Sequence, residues 1–278
     1  LVTGGKGQLG IAIKKKIPKN KKNKYFFTSK KEINIDNYKK LESFINKNKI
    51  QLIINCAAYT NVDKSEINLN ISNKVNNLAL KKIALLCKNN NIFLVHISTD
   101  YVFNSNKKKY FNEFAKVNPK NIYGMSKLNG EKQILKIKPK AIIIRTSWLY
   151  SEYSNNFVKS VYNKIINGQD IFLVNNSYGS PTNANDLAKF IFKIANNSKN
   201  NLLFDKNTIL HFSNKGCVSR YELVKKIIIF SKNEKNIKLI KKSFANSKNS
   251  IRPFCSCLNS IRLKKIKGFK YRKWENSL

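Results

Sequence analysis

The sequence predicts an α/β fold in which a doubly wound parallel sheet carries a smaller C-terminal lobe. Three observations predict it. Short apolar runs alternate with stretches of helical period through the first half of the 278 residues. A glycine turn, Gly4 to Gly10, separates the first run from the first helix. Polar residues recur just beyond the carboxyl ends of the apolar runs, where sheets of this kind bind ligands.

Each element has its own warrant. Leu1-Val2 reads as the end of a first strand. It is shorter than the ~5 residues usual for a strand, so further residues are expected before it. A helix over 11–16 follows and stops near Pro18. Tyr25 to Thr28 reads as the second strand. Leu41, Phe44 and Ile45 share one face of a helix predicted over 37–48. The run 51–55 is apolar enough for a strand buried on both faces. Val75, Leu78, Ala79, Ile83 and Leu86 define a helix over 68–89. Strands at 92–97 and 141–145 flank a helix over 123–136.

Beyond Tyr150 the pattern loosens. Helices are predicted over 155–166 and 185–195, a turn at Gly179 to Thr182, and a strand over 208–213. A last helix covers 219–230, with Ser219 as its N-cap. The segments 196–207 and 231–250 are rich in Lys and Asn and read as loops.

The net charge of +39 invites a nucleic-acid reading. The residue types argue against it. Only five of the basic residues are arginines, Arg145, Arg220, Arg252, Arg262 and Arg272. Bidentate recognition of bases and phosphates favours Arg. The lysines are scattered and travel with Asn and Ile, which share A/T-rich codons, so compositional drift accounts for them. The charge still favours anionic ligands in a salt-dependent way. The apolar runs fall well short of the ~20 residues of a membrane helix, and the N-terminus has no leader pattern, so a soluble cytoplasmic protein is expected. The five cysteines, Cys56, Cys87, Cys217, Cys255 and Cys257, include no C-x-x-C pair. They read as small apolar fillers, with neither a disulfide framework nor a metal site.

The chemistry lies in three places. Gly4, Gly7 and Gly10, placed between a strand and a helix, suit a dinucleotide. They allow a tight turn, close approach of a pyrophosphate, and close helix–sheet contact. The amides at the start of the helix then point at the phosphates. This makes the sheet Rossmann-like, with a dinucleotide-binding domain over 1–150, completed by about 178–200, and a mainly substrate-binding lobe over 151–278. The second strand normally ends in a carboxylate that would repel a 2′-phosphate. Here it runs into Thr28-Ser29-Lys30-Lys31, so NADPH is expected to serve at least as well as NADH.

Tyr123 and Lys127 are four apart and share a helix face. A phenol is a slow acid–base catalyst at neutral pH, and a nearby ammonium lowers its pKa. Lys127 can also hold the nicotinamide ribose, while Thr99, beyond the strand at 92–97, offers a second hydrogen bond to a carbonyl oxygen. In so lysine-rich a chain the Tyr–Lys spacing alone means little; its agreement with Ser98-Thr99-Asp100 and the glycine turn gives it weight. Ala57 and Ala58 leave room for ribose or adenosine. Trp148 suits either stacking on a ligand or the core. Arg252, before Pro253, suits either a diphosphate or a surface turn.

Taken together, these motifs resemble the extended short-chain dehydrogenase/reductases and, within them, the dTDP-4-dehydrorhamnose reductase family. The resemblance spans almost the whole chain. It rests on Gly4 to Gly10, Asn55-Cys56-Ala57-Ala58-Tyr59-Thr60-Asn61-Val62-Asp63, Ser98-Thr99-Asp100-Tyr101-Val102-Phe103, Tyr123 to Lys127, Arg145-Thr146-Ser147-Trp148, Gly179-Ser180-Pro181-Thr182, and Arg252-Pro253 with Ser256 and Leu258.

The resemblance implies hydride transfer from NADPH or NADH to the C4 ketone of a nucleotide sugar. Tyr123 is then the acid, Lys127 its modulator, and Thr99 the carbonyl partner. Gly4, Gly7, Gln8, Leu9, Gly10, Asn34, Ile35, Ala57, Ala58, Tyr59 and Thr60, with Tyr123 and Lys127, are expected at the cofactor. Thr99, Asp100, Tyr101, Trp148 and Arg252 are expected at the sugar nucleotide. Asn34 stands where the family often has Asp. Ala12 and Asn185 stand where some relatives carry magnesium-binding glutamates, so a magnesium requirement is doubtful. A monomer or homodimer is expected, with no nucleic acid or membrane partner. A nucleotide-sugar epimerase or dehydratase, or a non-catalytic regulatory subunit, is the alternative.

Overall fold

The computed structural model describes residues 1–18, 23–174, 177–196, 208–232, 237–242, 250–266 and 271–278. Most of the loops expected over 196–207 and 231–250 lie outside the described residues. The elements in the first half are β1 (Val2–Thr3), α1 (Gln8–Lys15), β2 (Phe27–Thr28), α2 (Tyr38–Lys47), β3 (Leu52–Asn55), α3 (Val62–Ile67), α4 (Leu69–Asn73), α5 (Ala79–Asn89), β4 (Phe93–Thr99), β5 (Tyr110–Phe111), α6 (Ile122–Ile137) and β6 (Ala141–Thr146). Then come β7 (Leu149–Tyr150), α7 (Phe157–Ile166), β8 (Ile171–Val174), β9 (Tyr178–Gly179), β10 (Thr182–Asn183), α8 (Ala184–Asn196), β11 (Thr208–His211), β12 (Val218–Ser219), α9 (Arg220–Ser231), β13 (Leu239–Lys242) and β14 (Cys257–Leu258).

Six strands form the central sheet in the order β11-β6-β4-β3-β1-β2, every neighbouring pair parallel. The alternation along each strand sorts the helices onto two faces. Ile54, Val95, Ile142 and Ile144 pack with Leu9 and Ile13 of α1 and Leu187, Phe190 and Ile191 of α8. Their neighbours Ile53, Leu94 and Ile143 pack on the other face with Leu41 of α2, Ile83 of α5 and Ile134 of α6. A buried side chain of this kind contributes roughly 1.5–3 kcal/mol, so the two layers hold the sheet from both sides. The chain crosses from β2 back over β1 to β3, and that reversal opens a crevice at the strands' carboxyl ends.

The predicted helix over 68–89 is not one helix. A π-helical turn at Lys74–Leu78 interrupts it, and a separate α3 precedes it. The π turn carries Asn76 inward. Its side chain accepts from the Tyr59 amide at 2.9 Å and donates to the Tyr59 carbonyl at 2.9 Å and to Ser126 Oγ at 3.0 Å. Apolar spacing could not signal this, because the turn exists to satisfy a polar residue.

A third apolar cluster joins Val161 and Ile165 of α7, Ile171 and Leu173 of β8, and Leu223, Val224 and Ile227 of α9. As expected, Ser219 caps α9, and Glu222 completes a reciprocal capping box.

The expectation for the cysteines is overturned. Cys217 and Cys257, 40 residues apart, form a disulfide. The reason is topological. β9 pairs with β12 on one side and bridges through Tyr178 to Cys255 on the other, so Cys217 and Cys257 flank one short strand. Cys255 remains a buried thiol, and the three sulfurs lie within 4.8 Å of one another.

Candidate active site

A cleft of about 550 Å³ runs along the carboxyl ends of β1, β3, β4 and β6, a size suited to a small-molecule ligand. At one end the chain leaves β1 through Gly4, whose φ of +68° suits glycine. A Cβ on Gly4 would meet the Ala57 nitrogen at 2.8 Å, and one on Gly10 would meet the Gly4 oxygen at 2.5 Å. The turn therefore brings α1 against the sheet with its first amides facing the cleft. Gln8 Nε2 donates to the Leu149 carbonyl at 3.1 Å and ties the turn to the far side.

The other end holds the chemistry. α6 begins at Asn121, whose side chain accepts from the Gly124 amide at 2.7 Å. It then presents Tyr123 and Lys127 to the cleft. Lys127 is 2% exposed. Its ammonium donates to the Ile97 carbonyl at 2.7 Å and lies 3.3 Å from His96 Nε2. Burial lowers its pKa to about 8, against the opposing pull of Glu131 and Cys56. Burial also raises the Tyr123 phenol well above its ordinary value. The Thr99 hydroxyl opposes that rise, and Asp100 and Tyr101 reinforce it. The lowered phenol expected from Lys127 is thus absent: desolvation dominates, and the ammonium is already engaged by Ile97. A phenol held protonated suits an acid better than a base.

Thr99 caps the short turn Asp100–Val102. Its Oγ1 accepts from the Tyr101 amide at 3.2 Å and donates to Asp100 Oδ1 at 3.3 Å. Asp100 is buried and accepts at Oδ2 from Ser147 Oγ at 2.9 Å and Ser256 Oγ at 2.5 Å. Burial raises its pKa to about 6 in spite of these donors. Sequence reading missed Ser147 and Ser256 as its partners. A serine is too common to signal a contact across 156 residues.

Of the expected site residues, the structure brings all but one to this cleft. Gly4, Gly7, Gln8, Leu9, Gly10, Asn34, Ile35 and Ala57 to Thr60 line it, as do Thr99, Asp100, Tyr101, Tyr123, Lys127 and Trp148. Arg252 stands outside the lining, paired to Asp63 at 2.8 Å and donating to the Tyr101 hydroxyl at 3.3 Å.

Trp148 adopts a left-handed φ of +43°. Its indole is already covered. The Gly179 backbone packs so closely that a Cβ there would lie 2.2 Å from the ring, and the Arg220 guanidinium lies 3.6 Å from the ring centroid. Stacking flat on a ligand is therefore less open to it than the sequence suggested. Ala12 is buried in the α1 interface, and Asn185 donates to Glu152 at 3.2 Å.

The cleft fits a nicotinamide dinucleotide on its own chemistry. The glycine turn leaves no room for side chains where phosphates would lie. Lys30 lines the end beside Asn34 and supplies a cation there. Thr146 lines the cleft with a buried hydroxyl that has no hydrogen-bond partner among the described residues. An orphaned hydroxyl at this depth calls for a ligand group.

A family model described as the RmlD substrate binding domain matches residues 1–278. The chain belongs to the RmlD substrate-binding-domain family. It is 32% identical to a dTDP-4-dehydrorhamnose reductase of Aggregatibacter actinomycetemcomitans, over 100% of this chain and 96% of that protein. Two solved structures superpose closely. One is dTDP-4-dehydrorhamnose reductase from Bacillus anthracis in complex with NADP, with TM-score 0.91 and 30% identity over 99% of this chain and 95% of that one. The other is an ortholog from Clostridium acetobutylicum, with TM-score 0.89 and 32% identity over 99% and 95%.

Proposed function

We propose that this member of the RmlD family is a cytoplasmic reductase. It delivers a hydride from NADPH, with NADH also accepted, to the C4 ketone of dTDP-4-dehydro-L-rhamnose and yields dTDP-L-rhamnose. The observation that carries this reading is the convergence of Thr99, Tyr123 and Lys127 at one end of a cleft whose other end is the glycine turn. The names of the relatives support the same reading. Residues 1–150 with α8 act as the dinucleotide-binding domain, and the later segments wall the substrate.

When bound, the reduced nicotinamide supplies the hydride. The α1 amides and Lys30 hold the cofactor's anionic groups. Lys127 holds the nicotinamide ribose, and Thr146 offers its free hydroxyl to the same end. The Tyr123 phenol donates to the ketone oxygen, and the Thr99 hydroxyl joins it by turning away from Asp100 Oδ1. As negative charge grows on that oxygen, Tyr123 passes over its phenolic proton. Asp100, held by Ser147 and Ser256, accepts from a sugar hydroxyl.

The test is NADPH oxidation with dTDP-4-dehydro-L-rhamnose, wild type beside Tyr123→Phe. Loss of the phenol should lower kcat by about a hundredfold or more. No turnover by the wild type would sink the assignment. Stoichiometric consumption of NADPH separates this reaction from epimerases and dehydratases, which return the hydride.

A further inference from the structure

Four of the five arginines have acceptors within the protein. Arg145 pairs with Glu131, Arg252 with Asp63 and Arg272 with Asp186, and Arg262 donates to the Ile209 carbonyl. Among the described residues, the Arg220 guanidinium makes neither a hydrogen bond nor an ion pair. It is nevertheless held in place. It lies 3.6 Å from the Trp148 ring centroid and 4.2 Å from that of Phe157, and it lines the cleft with Asp100, Tyr101 and Tyr123.

This arrangement is unusual in what it leaves free. Two aromatic rings fix a cation through their faces and use none of its five N–H donors. Asp100, the acid in its neighbourhood, accepts from Ser147, Ser256 and Thr99 and forms no ion pair with Arg220 among the described residues. Burial brings the Arg220 pKa down to about 10; Tyr101 and Asp100 oppose that fall, Arg252 adds a smaller like-charge repulsion, and the group stays charged at neutral pH. A desolvated guanidinium near a second one, with no acceptor among the described residues, is stabilised by a ligand anion. The cofactor's phosphates are expected at the glycine turn, at the other end of the cleft. The anion near Arg220 therefore belongs to the second substrate.

We propose that Arg220 is the diphosphate-recognising residue of the nucleotide-sugar site, stacked in advance on Trp148 and Phe157 and assisted by Arg252. This rests on the reductase reading and deepens it. Trp148 accordingly serves the substrate through Arg220, as the platform that aims the guanidinium.

Calorimetric binding of dTDP and of thymidine to wild type, Arg220→Met and Arg220→Lys tests the proposal. A charge-assisted hydrogen-bonding contact is worth roughly 10- to 100-fold in affinity. Arg220→Met should lose about that factor for dTDP while thymidine binding stays unchanged, and Arg220→Lys should recover part of it. In turnover the loss should fall on KM for the nucleotide sugar more than on kcat. NADPH binding by fluorescence serves as the fold control, and Arg220→Lys carries the test if Arg220→Met does not fold. Equal losses for dTDP and thymidine would overturn the proposal, because Arg220 would then only support Trp148. So would unchanged dTDP affinity. If the wild type distinguishes dTDP from thymidine through Arg220 yet oxidises no NADPH, the anion site stands and the reductase reading fails.

Discussion

Lys127 lies 3.3 Å from the Nε2 of His96, behind the face it turns to the cleft. The contact continues through the sheet: His96 Nδ1 is 3.0 Å from the Asn55 amide, and Thr3 donates to Asn55 Oδ1 at 2.5 Å. A helix side chain is thus seated on a polar chain that crosses β4, β3 and β1. Burial, with the Lys127 charge, holds the His96 pKa well below its usual value and keeps the ring neutral.

Activity should fall as pH rises past about 8, where Lys127 loses its proton. Stability should move the other way. The folded pKa lies below the unfolded value, so between about 8 and 10.5 the unfolded chain binds the proton more tightly, and stability rises with pH. Lys127→Met should abolish the fall in kcat/KM and lower kcat by about a hundredfold. Its gain in Tm over wild type should be largest below pH 8 and shrink toward pH 10. A pH-independent difference in Tm would contradict the assignment.

Asp100 gives the opposite sign. Its pKa is raised from 3.8 to about 6, so the folded protein holds the proton more tightly and stability falls as pH rises across that interval. At ~1.4 kcal/mol per pH unit, ionisation costs the fold on the order of 3 kcal/mol at neutral pH. Asp100→Asn should narrow the difference in stability between pH 4 and pH 7 and raise KM for the nucleotide sugar. Urea titrations at the two pH values measure the first effect.

Cofactor choice should respond to charge at Lys30, which is exposed and lines the cleft beside Asn34. Lys30→Glu should raise KM for NADPH by about tenfold and leave KM for NADH nearly unchanged. High salt should shrink the difference, because an exposed pair is screened. Equal effects on the two cofactors in steady-state assays would place the 2′-phosphate elsewhere.

Glu131 and Arg145 form a bidentate buried pair, with Nε to Oε1 at 3.0 Å and the terminal nitrogen to Oε2 at 2.6 Å. Ser98 Oγ also donates to Oε1, at 2.5 Å. Removing the acid strands the guanidinium beneath the site. Glu131→Ala should cost about 3–5 kcal/mol, read as a lower urea midpoint.

The Cys217–Cys257 disulfide ties the segment that carries Arg220 to the one that carries Ser256. Cys217→Ser should lower stability by roughly 2–4 kcal/mol under oxidising conditions. With dithiothreitol present, wild type and variant should converge in thermal melts.

Local chemistry made much of this protein legible from its residues. The glycine turn, the four-residue spacing of Tyr123 and Lys127, the strand-end Thr99 and the Ser219 cap all depend on neighbours a few positions away. Apolar alternation likewise determined the layered sheet, because a strand between two helix layers must be apolar on both faces. The tertiary structure alone decided what surrounds those groups. It half-buried Tyr123 and so raised its phenol, seated Lys127 on His96, and closed Ser256 onto Asp100. It also stacked Arg220 on Trp148 and brought Cys217 to Cys257 across β9. These contacts join elements tens of residues apart that share no period, and desolvation, the largest influence on the site's acids and bases, is a property of the folded cleft.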